Sequence, residues 1–253
     1  PGLLAATQRN AARGLGDVAL FEVGQVFRGD GETDQRMNAA SVRRGTARAT
    51  GAGRHWSAAA RSVDVFDAKA DVMALLVSLG VQTSGLQIVA GGPSFLHPGR
   101  SGTLQFGPKG VIGWFGEFHP RVLAALDVSG PLCGFEIILD AIPAPKTKPT
   151  KVKPKLELAD LMPLERDFAF IVDAKVQAGD ILKAAQAADR QLVTGASVFD
   201  VYQGTGIPDG KKSVAISVVL QPRDKTLTDS EIETVMSKIV ADVTKKTGAA
   251  LRG

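Results

Sequence analysis

Between Ala141 and Lys155 the chain alternates proline with lysine, placing five lysines from Lys146 to Lys155 without one acid among them. Proline disfavours helix and withholds sheet donors, and like charges hold such a segment extended. The stretch therefore belongs to neither a helix nor a central strand, and it predicts two separately folded domains over residues 1–145 and 160–253, joined by a linker over 146–159. With 253 residues, 44% of them hydrophobic, each half has material for its own core. The lysines admit two readings, a solvated linker or a contact with a polyanion. A net charge of +4 is too mild to choose between them.

Several function classes fall away early. No run approaches the ~18 apolar residues of a membrane span, so no membrane partner is expected. The single cysteine, Cys133, cannot staple the molecule or build a thiolate metal site, and it fits a reducing cytoplasm. His55, His97 and His119 stand in no metal-ligand spacing, and two of them precede proline in turn-like settings. No nucleophile elbow or phosphate-binding glycine loop occurs. The start, Pro1-Gly2-Leu3-Leu4, has no basic region and no Met, and is read as the cut end of a longer chain.

The first half mixes elements. Leu3 to Arg13 reads as a helix and Val18 to Arg28 as a strand. Ser41 to Thr50 is its expected partner across a long polar loop. Asp67 to Leu79 has helical apolar spacing with Gly80 as cap, Pro120 to Leu126 is a short helix, and strands are expected at 86–89, 101–106, 111–118 and 133–139. The sum is an α+β layout with a mainly antiparallel sheet.

The second half reads strand (166–172), helix (178–188), strand (198–202), strand (212–220), helix (228–246) and short strand (249–252). That βαββαβ order is the ferredoxin-like arrangement, with two helices on one face of a sheet whose other face is open. Alternation assigns the faces. Phe168, Phe170 and Val172, then Phe199 and Val201, then Val214, Ile216, Val218 and Leu220, are expected toward the helices. Ala169, Asp200, Tyr202, Ser213, Ala215 and Ser217 are expected on the open face. Small residues around the only tyrosine leave room for a planar base, and Asp200 offers acceptors to the N–H groups of a guanine edge. Spacing alone leaves this beside the plainer reading of an ordinary strand aromatic and an ordinary surface carboxylate. Lys211 and Lys212 stand beside the face, either against nucleic-acid phosphates or simply solvated.

Arg166-Asp167-Phe168-Ala169-Phe170, Phe199-Asp200-Val201-Tyr202-Gln203-Gly204, Ile207-Pro208-Asp209-Gly210-Lys211-Lys212-Ser213, Thr226-Leu227-Thr228-Asp229 and Leu251-Arg252-Gly253 follow one another in an order that resembles the ferredoxin-fold anticodon-binding domain ending the β subunits of bacterial phenylalanine–tRNA ligases. Leu20-Phe21-Glu22-Val23-Gly24, Phe66-Asp67-Ala68-Lys69-Ala70-Asp71, His97-Pro98-Gly99-Arg100-Ser101, Gly116-Glu117-Phe118-His119-Pro120 and Phe135-Glu136 likewise resemble that family's class II synthetase-like, non-catalytic domain. The resemblance implies an (αβ)₂ tetramer whose α subunit holds ATP, Mg²⁺ and phenylalanine, with no cofactor, metal or catalytic residue in this chain. It implies tRNA(Phe) as partner and further N-terminal domains, one with an editing site, outside this sequence. It also implies site roles: Tyr202 stacks on the first anticodon base, Asp200 reads its edge, Ala169 and Ser213 form the floor, and Lys212 meets phosphate. Phe27-Arg28-Gly29-Asp30 resembles the phosphate-gripping class II motif Phe-Arg-x-Glu, with the acid shortened. The matching glycine-rich strand and helix-borne arginine are missing, since the chain runs from Asp140 into the Pro/Lys stretch. Two other readings remain: a free-standing RNA-binding or scaffold protein built on these folds, and an independent enzyme, which would bind ATP by itself.

Overall fold

The computed structural model describes residues 1–47, 61–143 and 158–252. Most of the Pro/Lys stretch and His55 lie outside them. The chain divides into two compact units, Pro1–Lys151 and Val152–Gly253.

The first unit runs α1 (Gly2–Ala12), β1 (Val18–Phe27), β2 (Gln35–Arg44), α2 (Val65–Ser78), β3 (Gln87–Ala90), β4 (Leu96–Gln105), β5 (Val111–Phe118), α3 (Pro120–Ala125) and β6 (Leu132–Ile138). Its strands form one antiparallel sheet in the order β1-β2-β6-β5-β4-β3. Ala68, Val72 and Leu76 of α2 pack on Leu104, Phe115, Cys133 and Ile137 to make the main core. Leu4, Val42, Leu123, Val128 and Leu132 form a smaller cluster. Cys133 is fully buried, and that burial pushes its thiol pKa up to about 12, so it behaves as a small apolar residue.

Three expectations for this unit need correction. β2 begins at Gln35, not Ser41, so the connection after Phe27 is seven residues rather than a long loop. Gln35 and Arg36 are exposed while Asn38 and Ala39 are buried side by side, so these first residues show no period-two alternation to mark a strand. α2 begins at Val65, with Asp64 as N-cap accepting from the Phe66 and Asp67 amides, while Asp67 accepts from Asp64 in return. His97-Pro98-Gly99-Arg100 lies within β4 rather than in a turn between strands. Leu96 pairs with Phe118 and Ser101 with Gly116, so five steps on β4 face two on β5 and the segment bulges outward. Gly80 does follow α2 with φ +75, a left-handed value that glycine adopts without strain.

The second unit runs β7 (Leu164–Asp173), α4 (Ala178–Ala188), β8 (Val193–Tyr202), β9 (Lys211–Leu220), α5 (Asp229–Thr247) and β10 (Ala250–Leu251). The sheet order β10-β7-β9-β8 is antiparallel throughout. Phe168, Phe170 and Val172 join Val214, Ile216, Val218 and Leu220 against Ile181, Ala184 and Ala185 of α4 and Val235, Ile239 and Val243 of α5. Thr228 caps α5, with Glu231 completing the reciprocal pair.

That cap carries a pH signature. The Lys225 ammonium, then the Thr228 amide and hydroxyl, hold the Glu231 carboxyl at about 2 against an ordinary 4.5. A depressed folded-state pKa gives stability that is complete above the unfolded value and is lost as pH falls through the folded one. The melting-temperature gap between wild type and Glu231→Gln is therefore expected to be full at pH 7, to shrink below about 4.5 and to close near 2. Thermal melts in that window check it, and a gap constant with pH contradicts it.

Candidate nucleic-acid interface

The face of the second sheet away from α4 and α5 is built by three long strands in register. Ala169 of β7 lies opposite Ala215 of β9, which lies opposite Asp200 of β8. The next row reads Ile171, Ser213 and Tyr202, and the row on the other side Asp167, Ser217 and Ser197. Opposed residues share a face, so these rows form one surface, with the small side chains Ala169, Ala215, Ser213, Ser217 and Ser197 as its floor and Ile171 and Asp167 beside them on β7. Asp200 is exposed and Tyr202 is 40% exposed at the edge of that floor. Ser213 is buried between its row neighbours, and Ala169 and Ala215 are half-buried.

The tyrosine is held from one side. Its hydroxyl donates to the Thr205 carbonyl at 3.3 Å, a long bond that tethers the ring against its own turn. Gly204 makes this possible, because a Cβ there would stand 2.7 Å from the phenol oxygen.

Two sequence assignments fail at this edge. Phe199 and Val201 do not enter the core; they are 59% and 53% exposed. The ladder passes from Val198 opposite Ile216 to Asp200 opposite Ala215, leaving Phe199 as the extra residue of a bulge. Val201, opposite Val214, keeps the helix-side parity but lies on an edge strand whose end the helices leave exposed. The bulge also resets parity, so that Asp200 and Tyr202 share the open face with Ala215 and Ser213. Lys212 is not part of the face. It lies opposite Val172, a core residue, and its ammonium donates to the Ala174 carbonyl at 3.0 Å. Strict alternation from Ser213 would have put it there. Lys211, exposed and opposite Asp173, is the lysine on the open side.

The first unit holds a different feature. A cleft of about 370 Å³ lies where the N-terminal end of α1 meets the sheet, walled by Val26, Phe95, Trp114, Phe118 and Leu126. Its charged side chains are the carboxylates Glu22 and Glu136. Asn38 donates to Glu136 at 2.5 Å, leaving its own buried amide oxygen without a partner. No lysine, arginine or histidine lines the cleft while two carboxylates do, so a triphosphate would meet like charge with no cationic side chain to offset it. Arg28, the candidate phosphate residue, is exposed at the end of β1 and does not line it. These residues do not fit ATP. Sequence reasoning missed the acceptor pair because Glu22 lies on β1 and Glu136 on β6, strands far apart in the chain. Among the described residues no cluster of His, Cys, Asp and Glu is arranged to hold a metal, and no helix is long and apolar enough to cross a membrane.

Fold and face together define a ferredoxin-like sheet platform that follows an antiparallel-sheet α+β unit in the sequence. Comparison with known families matches residues 1–139 to the phenylalanyl tRNA synthetase beta chain CLM domain and residues 161–252 to the ferredoxin-fold anticodon binding domain. The chain belongs to the phenylalanyl-tRNA synthetase β-chain family. It is 61% identical over 251 residues to the phenylalanine–tRNA ligase β subunit of Bradyrhizobium diazoefficiens, covering 99% of this chain and 31% of that protein. It is 59% identical to the β subunit of Rhodopseudomonas palustris and 56% to that of Brucella suis, in each case over 100% of this chain and 32% of the relative. The chain thus spans about a third of the length of the curated relatives it matches.

Proposed function

We propose that the chain serves a phenylalanine–tRNA ligase by holding the anticodon of tRNA(Phe). Residues 160–253 are the anticodon-binding domain, 146–159 the linker, and 1–145 a non-catalytic synthetase-like domain that packs on an α subunit in an (αβ)₂ tetramer. ATP and Mg²⁺ act on the α subunit, in the cytoplasm. One observation carries the reading: Tyr202 and Asp200 border the same floor of Ala169, Ala215 and Ser213. A base laid on that floor gains a stacking partner in the phenol ring and an acceptor for its edge in the carboxylate. The two carboxylates of the cleft suit a scaffold domain better than an adenylation site.

The test is co-purification of the chain with the α subunit and tRNA(Phe), comparing the natural anticodon with one altered at its first base. A stable ternary complex is expected, with tRNA retention weakened by the altered base. Equal retention of both tRNAs defeats the anticodon reading. Firm tRNA binding without any α association favours a free-standing RNA-binding protein instead.

A further inference from the structure

We infer that Arg252 holds an RNA backbone phosphate at the end of the platform remote from Asp200. The inference rests on the anticodon reading above and adds to it a residue with no role so far.

The geometry begins with β10. Ala250 lies opposite Ile171 and Leu251 opposite Phe170. The Arg252 amide then donates to the Ala169 carbonyl at 2.7 Å, so the ladder continues one residue beyond the strand. Opposed residues share a face. Leu251, opposite a core phenylalanine, belongs to the helix side, and Arg252, opposite Ala169, belongs to the open side. The full row across the sheet is therefore Arg252, Ala169, Ala215 and Asp200. Three inter-strand spacings separate its ends by about 14 Å, and only two methyl groups stand between them. A nucleotide lying on those alanines would have a carboxylate at one end and a guanidinium at the other.

The charge is available. Arg252 is exposed, and among the described residues no carboxylate lies within ion-pair distance of it. Of the two lysines at the start of β9, Lys212 is engaged with the Ala174 carbonyl and Lys211 stands exposed on the open side, in the row beyond Ile171 and Ser213. Guanidinium stays charged at any working pH and presents a fork of donors that matches a phosphate. The strand that carries it adds little to the core. Ala249 is buried, but Ala250 and Leu251 are exposed. Its pairing with β7 fixes the start of the Arg252 side chain on the platform side.

The experiment measures tRNA(Phe) binding by the full chain assembled with the α subunit, at several salt concentrations, for wild type, Arg252→Gln, Arg252→Lys and Tyr202→Ala. Arg252→Gln is expected to weaken binding about tenfold and to reduce the slope of log affinity against log salt by about 0.7, the single-strand value for one phosphate. Discrimination against an altered first anticodon base is expected to persist, because phosphate contacts position without specifying. Arg252→Lys should restore the slope but not the whole affinity. Circular dichroism and melting temperature should match wild type in both Arg252 variants. An unchanged slope in Arg252→Gln, with Tyr202→Ala weakened, overturns the role of Arg252 and leaves the platform standing; the arginine is then only a charge on a sheet edge. A change in base discrimination without a change in slope also overturns it. If neither Arg252→Gln nor Tyr202→Ala alters binding, the platform reading fails and this inference fails with it.

Discussion

Phe170→Ala is expected to cost the second unit about 3–5 kcal/mol of stability. Phe170 is fully buried and is among the largest side chains excluded from solvent in this chain. Its ring stacks beside that of Phe168 with centroids 6.0 Å apart and planes 13° from parallel, and both belong to the cluster closed by α4 and α5. Truncation removes the transfer free energy of a benzyl group and leaves a cavity that a sheet under two helices can only partly collapse. Small domains hold about 5–15 kcal/mol in total, so the loss takes a large share. The control is Phe199→Ala. That ring is 59% exposed on the bulge, and its removal is expected to cost less than about 1 kcal/mol. Urea melts of the two variants separate the cases. Equal costs would mean that the assigned faces of the sheet are wrong.

Tyr202→Ala is expected to cost about 1–3 kcal/mol of tRNA affinity, the range of one aromatic–base stack, with little change in stability. The ring is 40% exposed, and its hydroxyl makes only the long bond to Thr205. Tyr202→Phe keeps the stacking surface and should retain most of the affinity. Dissociation constants at matched salt decide the point, since a change of salt alone moves phosphate contacts and mimics a loss. An unchanged constant in the alanine variant ends the stacking role. A phenylalanine variant as weak as alanine would shift the role from the ring to the hydroxyl.

The helices and the buried strands were readable from residue order alone. α4 spans Ala178–Ala188 as its apolar spacing requires, and Thr228 with Glu231 marks the start of α5 by a reciprocal pair that local chemistry forms unaided. β7 and β9 announce themselves by strict alternation, because each has one face under helices and one face bare. The start of β2 is not legible because Asn38 and Ala39 are buried side by side after two exposed residues, which breaks the alternation that marks a strand. β8 was misread where one extra residue enters the ladder at Phe199. A bulge is a property of two strands together and leaves no mark in either one taken singly.

The candidate site divides along the same line. Its residue types, a lone tyrosine, an aspartate two residues before it and small residues on neighbouring strands, were present in the sequence, and so was the order of motifs that marks the family. Which lysine meets the face follows from alternation within β9 alone, but that Arg252 completes the row with Ala169 depended on register, since a one-residue step moves a side chain to the opposite side of a sheet. The acceptor pair Glu22 and Glu136 comes together only because β1, β2 and β6 are neighbours, although more than a hundred positions separate the two carboxylates. Local propensity and periodicity thus determined the elements and their faces. Tertiary pairing alone decided which side chains share a surface, because that depends on alignment between strands that no single segment encodes.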